Sequence, residues 1–120
     1  MGKKNKIREL PTYNLERGMP SLDAAARSMA QAINEAKHRR QRVIKIIHGY
    51  GSSGVGGKLR NGLRRELAQR TQGGKIKGFI PGERFGRTEE TRAFTSQYSQ
   101  LAQDPDYGSS NPGITIIILY

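Results

Sequence analysis

A chain of 120 residues supports one domain around one core, which excludes a multidomain enzyme and a six-stranded dinucleotide fold. The lack of cysteine removes disulfides, thiol catalysis, iron–sulfur clusters and cysteine-based zinc sites, and His38 and His48 alone are too few for a histidine metal cage. The net charge of +11 sits in residues 37–77, where twelve lysines and arginines oppose one carboxylate, Glu66; such a concentration is the electrostatic footprint of a polyanion partner, most often nucleic acid.

The basic start, Met1 to Lys6, is not followed by an apolar signal core and reads as a flexible tail. No apolar run is long enough to span a bilayer, so a cytoplasmic location without membrane contact is expected. Ile7 to Glu16 mixes and alternates apolar residues around Pro11 and predicts the first strand. Ser21 then offers a helix N-cap and Asp23 suits the first turn. Leu22, Ala25, Ala26, Met29, Ile33 and Ala36 recur at helical spacing, predicting a helix to about His38. Val43 to Ile47 is dense in β-branched residues, as in a strand buried on both faces. Strand, helix and strand in this order make a βαβ unit with parallel strands.

A glycine-rich loop, His48 to Gly57, leaves that strand. The second helix follows with Leu59, Leu63 and Leu67 on one stripe, Lys58, Arg60, Arg64, Arg65 and Arg70 elsewhere, and Gly73-Gly74 as its stop. Ile76 to Ile80 predicts the third strand, ended by Pro81-Gly82. Residues 81–112 form an insertion. In it Thr88 starts a short helix that carries Phe94, Tyr98 and Leu101 on one face and closes at Asp104-Pro105, before a loop from Asp106 to Pro112. Residues 113–119, nearly all apolar, form the last strand and suit a central or well-covered position.

A glycine loop between a strand and a helix gathers backbone N–H groups and the positive end of a helix dipole, which makes an anion site. Asn14, Glu16, Arg17 and His48 are the polar side chains expected in the same crevice, with Lys58 and Arg60 on the following helix turn. Two generic motifs do not hold here. Gly49-x-Gly51-x-x-Gly54 has the letters of the dinucleotide fingerprint, yet the nearest acid after the next strand is Glu83, beyond Pro81-Gly82. A phosphate-binding P-loop fails at Ser52, where glycine is needed, and at Leu59, where a hydroxyl residue is needed.

The stretch from Val43 through His48-Gly49-Tyr50-Gly51 to Arg60, preceded by an amphipathic helix and followed at the chain's end by Gly113-Ile114-Thr115-Ile116, resembles the Smr (small MutS-related) domain family over most of the chain. The resemblance implies an α/β fold, a βαβαββ two-layer sandwich with a four-stranded mixed sheet, similar to the C-terminal domain of bacterial translation initiation factor three. Residues 1–120 then form a single domain. It also implies binding to DNA or RNA, with nicking by some members. The family's second signature, His/Thr-Gly-x-Gly, is intact as His48-Gly49-Tyr50-Gly51. Its first, Leu-Asp-x-His before a glycine, is degenerate: Asn14-Leu15-Glu16 or Leu15-Glu16-Arg17 stands there, before Gly18, and neither supplies both Asp and His.

The leading expectation is a monomer that binds nucleic acid through the loop and the basic helix, needing no cofactor. Its contacts would come from Gly49, Tyr50, Gly51, Ser52, Ser53, Gly54, Gly56, Gly57, Lys58, Arg60, Arg64 and Arg17. Gly49, Gly51, Gly54, Gly56 and Gly57 would admit phosphate or serve turns, and Tyr50 would stack on a base or pack. The rival reading is a metal-assisted nicking endonuclease at the same site, using Mg²⁺ or Mn²⁺. In it Glu16 holds metal or activates water and His48 handles protons. A third reading, an interaction module for an acidic partner or a ribosome, fits the charge but predicts weak affinity for free nucleic acid.

Overall fold

The computed structural model describes residues 10–49 and 55–120. In chain order these form β1 (Thr12–Asn14), α1 (Leu22–His38), β2 (Val43–Ile47), α2 (Val55–Gln72), β3 (Gly78–Pro81), α3 (Glu89–Thr95), a 3-10 helix (Ser99–Gln103) and β4 (Ile114–Ile118). The strands make one mixed sheet in the order β1-β2-β4-β3. β1 runs parallel to β2, while β4 lies antiparallel to both β2 and β3. The last strand is therefore central, and all five of its residues are buried. Pro81 is accommodated because β3 is an edge strand.

The helices begin and end as their local chemistry dictates. The Ser21 hydroxyl accepts from Ala24 N–H at 3.1 Å, with Asp23 in the first turn of α1 and Lys37 and His38 in its last. Both long helices close with the same double bond of the Schellman type. In α2, Lys75 N donates to Arg70 O and Gly74 N to Thr71 O; in α1, Gln41 N donates to Ala36 O and Arg40 N to Lys37 O. The left-handed residue of the first pair is Gly74, with φ of 74°, whereas that of the second is Arg40, with φ of 58°.

α1 and α2 cover one face of the sheet. Met29, Ile33, Leu59, Leu63 and Leu67 pack there on Ile44, Ile46 and Ile117. The helices approach closely, since a Cβ on Gly62 would lie 2.5 Å from Leu22 Cδ2. This is the expected two-layer sandwich. The insertion lies across the opposite face, where Phe85, Tyr98 and Leu101 pack on Val43, Ile80, Ile114, Ile116 and Ile118. β2 is thus covered on both sides, as its composition predicts.

Four boundaries differ from expectation. β3 begins at Gly78 rather than Ile76 and takes in Pro81, which an edge strand admits. β1 is confined to Thr12–Asn14, and the predicted strand residues 7–9, like the basic tail, lie outside the described residues. α2 starts at Val55, so Gly56 and Gly57 belong to its first turn rather than to the loop. The insertion's helix, predicted to continue to Asp104-Pro105, stops after Thr95 and resumes as the 3-10 helix. The Thr95 hydroxyl donates to Arg92 O at 2.6 Å and that of Ser96 to Ala93 O at 3.0 Å. Such bonds compete with the helical ladder, and Tyr98 then adopts φ −132°, outside the helix.

Candidate nucleic-acid interface

The carboxyl ends of β1 and β2 lie side by side because Asn14 pairs with Ile47 and Leu15 N donates to Ile47 O at 2.8 Å. Asn14 Oδ1 accepts from the backbone N–H of Glu16 and of Arg17, at 3.0 and 3.2 Å, and this turn carries the chain out of β1. It sets the exposed Glu16 carboxylate against Gly49. The φ of Gly49 is +76°, which favours glycine there, and a Cβ would lie 2.6 Å from Glu16 Oε1, at the movable end of an exposed side chain.

His48, at the start of the loop, has no exposed surface. Its Nδ1 is 2.7 Å from Gly49 O and its Nε2 is 2.8 Å from Thr115 Oγ1. A carbonyl oxygen only accepts, so Nδ1 carries the proton and Nε2 accepts from the threonine hydroxyl. Arg64 Nε donates to the same hydroxyl oxygen at 2.9 Å, and its terminal nitrogens grip both Glu83 carboxylate oxygens at 2.9 Å. Hydrogen bonds therefore run in one sense from Arg64 through Thr115 and His48 to the Gly49 carbonyl.

This arrangement holds His48 neutral. Burial is the main reason its imidazole titrates at about 4; Arg64 and Arg60 push it the same way, against the Gly49 bond and Glu83. Burial alone would raise the Glu83 carboxyl, but the Arg64 grip outweighs it and keeps that carboxyl below its ordinary range.

The twelve cations of residues 37–77 do not form one patch. Lys45 is buried beneath the insertion, its Nζ 3.0 Å from Asp104 Oδ2 and 2.8 Å from Asp106 Oδ2. Burial would lower the Lys45 ammonium, yet the bonds it donates to Asp106 and Asp104 outweigh it and the group titrates above its usual value. Arg64, predicted as a phosphate contact, is turned inward on Glu83. Arg39 pairs with Glu35 at 2.9 Å, and Arg70 with Glu66 at 3.3 Å. Lys58 and Arg65, seven residues apart on one stripe of α2, are exposed and make no ion pair or side-chain hydrogen bond among the described residues. Arg60 is half-buried near His48 and Glu83, and Arg17 is exposed beyond the Asn14 turn. At Gly57 the space a side chain would take is open.

Tyr50, Gly51, Ser52, Ser53 and Gly54 lie outside the described residues. Among the described residues no three His, Asp or Glu side chains group closely enough to hold a metal ion between them. No described helix is long and apolar enough to cross a membrane. Sequence reasoning missed Thr115 and Glu83 as members of the network. Their signals are a hydroxyl inside an otherwise aliphatic strand and an acid directly after the Pro81-Gly82 stop.

Residues 17–85, from the turn after β1 through both long helices to Phe85, match the family model of the Smr domain. The chain belongs to the Smr domain family. A solved relative, the Smr domain of Thermus thermophilus MutS2, is similar at a TM-score of 0.58 and 19% sequence identity, covering 92% of this chain and 99% of that one. At that identity the likeness shows a shared fold. A comparison with curated proteins returned no match. Smr domains are generally nucleic-acid-associated, and in this Smr domain Glu16 of the turn after β1 lies against Gly49 at the end of β2. The family match ends at Phe85, so the rest of the insertion and β4 fall outside it.

Proposed function

We propose that this Smr domain binds the sugar–phosphate backbone of DNA or RNA at the carboxyl ends of β1 and β2, without cleaving it. The observation that carries this reading is the division of α2: Arg64 is committed inward to Glu83, while Lys58, near an N-terminal turn with open space at Gly57, and Arg65, seven residues further along the same stripe, stand exposed and unpaired among the described residues. The first-turn N–H groups of a helix lack intrahelical acceptors and attract anions, and the two cations extend that attraction along the helix. In this reading Arg17, Arg60, Gly49, Gly56 and Gly57 complete the contact set. Such contacts neutralise phosphate without reading bases, so binding is salt-sensitive and weakly sequence-selective.

His48 is a positioning residue in this reading. Both ring nitrogens are engaged inside the protein, and a neutral imidazole that titrates near 4 has little basicity to offer a substrate. Its task is to fix the Gly49 carbonyl and so the departure of the loop. One observation favours the nicking reading: the exposed Glu16 carboxylate lies directly against Gly49.

End-labelled single- and double-stranded DNA and RNA, incubated with Mg²⁺ or Mn²⁺ and resolved on denaturing gels, separate the two readings. Binding alone predicts intact strands in every lane while native gels show a salt-sensitive shift. Cleavage that disappears in Glu16→Ala overturns it in favour of the nuclease, and the absence of any shift leaves the acidic-partner reading.

A further inference from the structure

At the amino end of β2, away from the Gly49 crevice, the α1–β2 turn and the insertion enclose a hollow of about 500 Å³. Its polar walls are Arg40, Gln41 and Arg42 from the turn and Gln97, Tyr98 and Gln100 from the insertion; no carboxylate lines it. We infer that this hollow binds a nucleoside monophosphate unit, with Arg40 and Arg42 taking the phosphate and the three glutamine amides taking the edge of the base.

Three observations support the assignment. First, Arg40 and Arg42 are exposed cations with no ion pair or side-chain hydrogen bond among the described residues, whereas neighbouring Arg39 is paired with Glu35. Second, Arg40 occupies the left-handed C-terminal position that glycine occupies in the matching closure of α2. A long cationic side chain there breaks the local preference that Gly74 obeys, and such departures gather at functional sites. Third, Gln41 Oε1 is buried without a hydrogen-bond partner, the sole such side-chain atom among the described residues. A buried acceptor is costly to leave unpaired.

The third observation selects the chemistry. A phosphate at neutral pH brings almost only acceptors, so it satisfies the arginines and leaves the Gln41 oxygen alone. A base with an amino group or ring N–H supplies the missing donor once the terminal amide turns about its last, soft torsion. A glutamine amide offers donor and acceptor together, the pairing that suits an adenine edge. The insertion contributes half of these walls, so the hollow depends on a segment largely outside the family match. It does not depend on the crevice at Gly49, which lies at the other end of β2.

The test titrates the ¹⁵N-labelled full chain with adenosine 5′-monophosphate, inorganic phosphate or a short single-stranded oligoadenylate, reading the side-chain amide signals of Gln41, Gln97 and Gln100. The nucleotide should move all three signals, and Arg42→Ala should weaken its binding at least tenfold. Phosphate alone should leave the Gln41 amide unmoved. Gln97→Ala/Gln100→Ala, at insertion positions that are not buried, should weaken nucleotide more than phosphate. Movement by oligoadenylate, lost in Arg42→Ala and kept in Lys58→Ala/Arg65→Ala, identifies a nucleotide within a strand as the source; movement by the monophosphate alone identifies a free nucleotide. Amides that respond to neither adenylate, or equal responses to phosphate and nucleotide, overturn the inference. Since the readout is local to the hollow, it stands or falls separately from strand binding at Gly49.

Discussion

On one face of the sheet the buried residues contributed by α1 and α2 are all apolar; on the other, the insertion lays Phe85, Tyr98 and Leu101 around a buried ammonium and two carboxylates. The helical face is held by volume and shape, which tolerate many registers of an aliphatic helix. The insertion lacks long helices to align it, and its closing turn is fixed where Asp104 and Asp106 both reach Lys45. Asp104 also accepts from Asp106 N–H at 3.0 Å, and Asn111 donates to Asp106 at 3.0 Å, so the pin orders its own loop. The same sheet therefore has one cover that charge enters through Arg64 of α2, at the His48 end, and one whose middle is pinned by a buried ion cluster.

The largest expected effect breaks that pin. Lys45→Ala strands the buried Asp104 carboxylate and the half-buried Asp106 and should cost about 3–5 kcal/mol at neutral pH by urea unfolding. Leu63→Ala on the helical face should cost about 2–5 kcal/mol through its cavity. The two separate on acidification: protonating the stranded carboxylates narrows the gap between Lys45→Ala and the wild type, while the Leu63→Ala gap stays.

Next is the pH dependence supplied by His48. Its pKa is about 4 in the folded chain against 6.5 when exposed, so between those values the unfolded chain binds the extra proton. Stability is then fully present above pH 6.5 and falls as pH drops toward 4, by about 3 kcal/mol in all. His48→Gln should flatten the stability profile in that window, and an unchanged slope would mean the imidazole is not held as described. Glu83 and Asp106, both held below their ordinary ranges, lose their contributions as pH falls further, through their folded values.

Gly82→Ala should follow, at about 1–3 kcal/mol, because its Cβ would lie 2.7 Å from Ile114 O on the insertion side of β4. The smallest effect has the opposite sign. Arg40→Gly relieves a left-handed arginine and should raise stability by about 1 kcal/mol in thermal melts, whereas Gly74→Ala, at the matching position of α2, should lower it by a similar amount.

What the sequence made legible was local. Ser21, Thr88 and Gly73-Gly74 mark helix ends by their own side chains or lack of them, and the β-branched run at Val43 announces β2 without help from elsewhere. The failures are contacts between distant residues. Counting Lys45 among outward cations conflicts with reading β2 as buried on both faces, and alternation already places Lys45 beside Val43 on a covered face; its partners lie 59 and 61 residues away. Arg64 differs from Arg65 in the sequence by nothing that marks it for Glu83. The Phe94, Tyr98 and Leu101 spacing fits one continuous helix but is also compatible with a break, which the Thr95 and Ser96 hydroxyls impose. At the site, the glycine signature and the approach of the β1 end were readable, while the burial of His48 depended on Thr115 arriving on β4.

The division of the basic segment into an inward and an outward set is the central claim, and the salt dependence of strand binding tests it most directly. Log affinity against log salt, measured for the wild type, Lys58→Ala/Arg65→Ala and Lys45→Met, should lose about 1.4 in slope for the α2 pair on a single strand, with its melting temperature unchanged. Lys45→Met should melt lower and keep the wild-type slope. A slope unaffected by the α2 pair, or one reduced by Lys45→Met, would contradict the account.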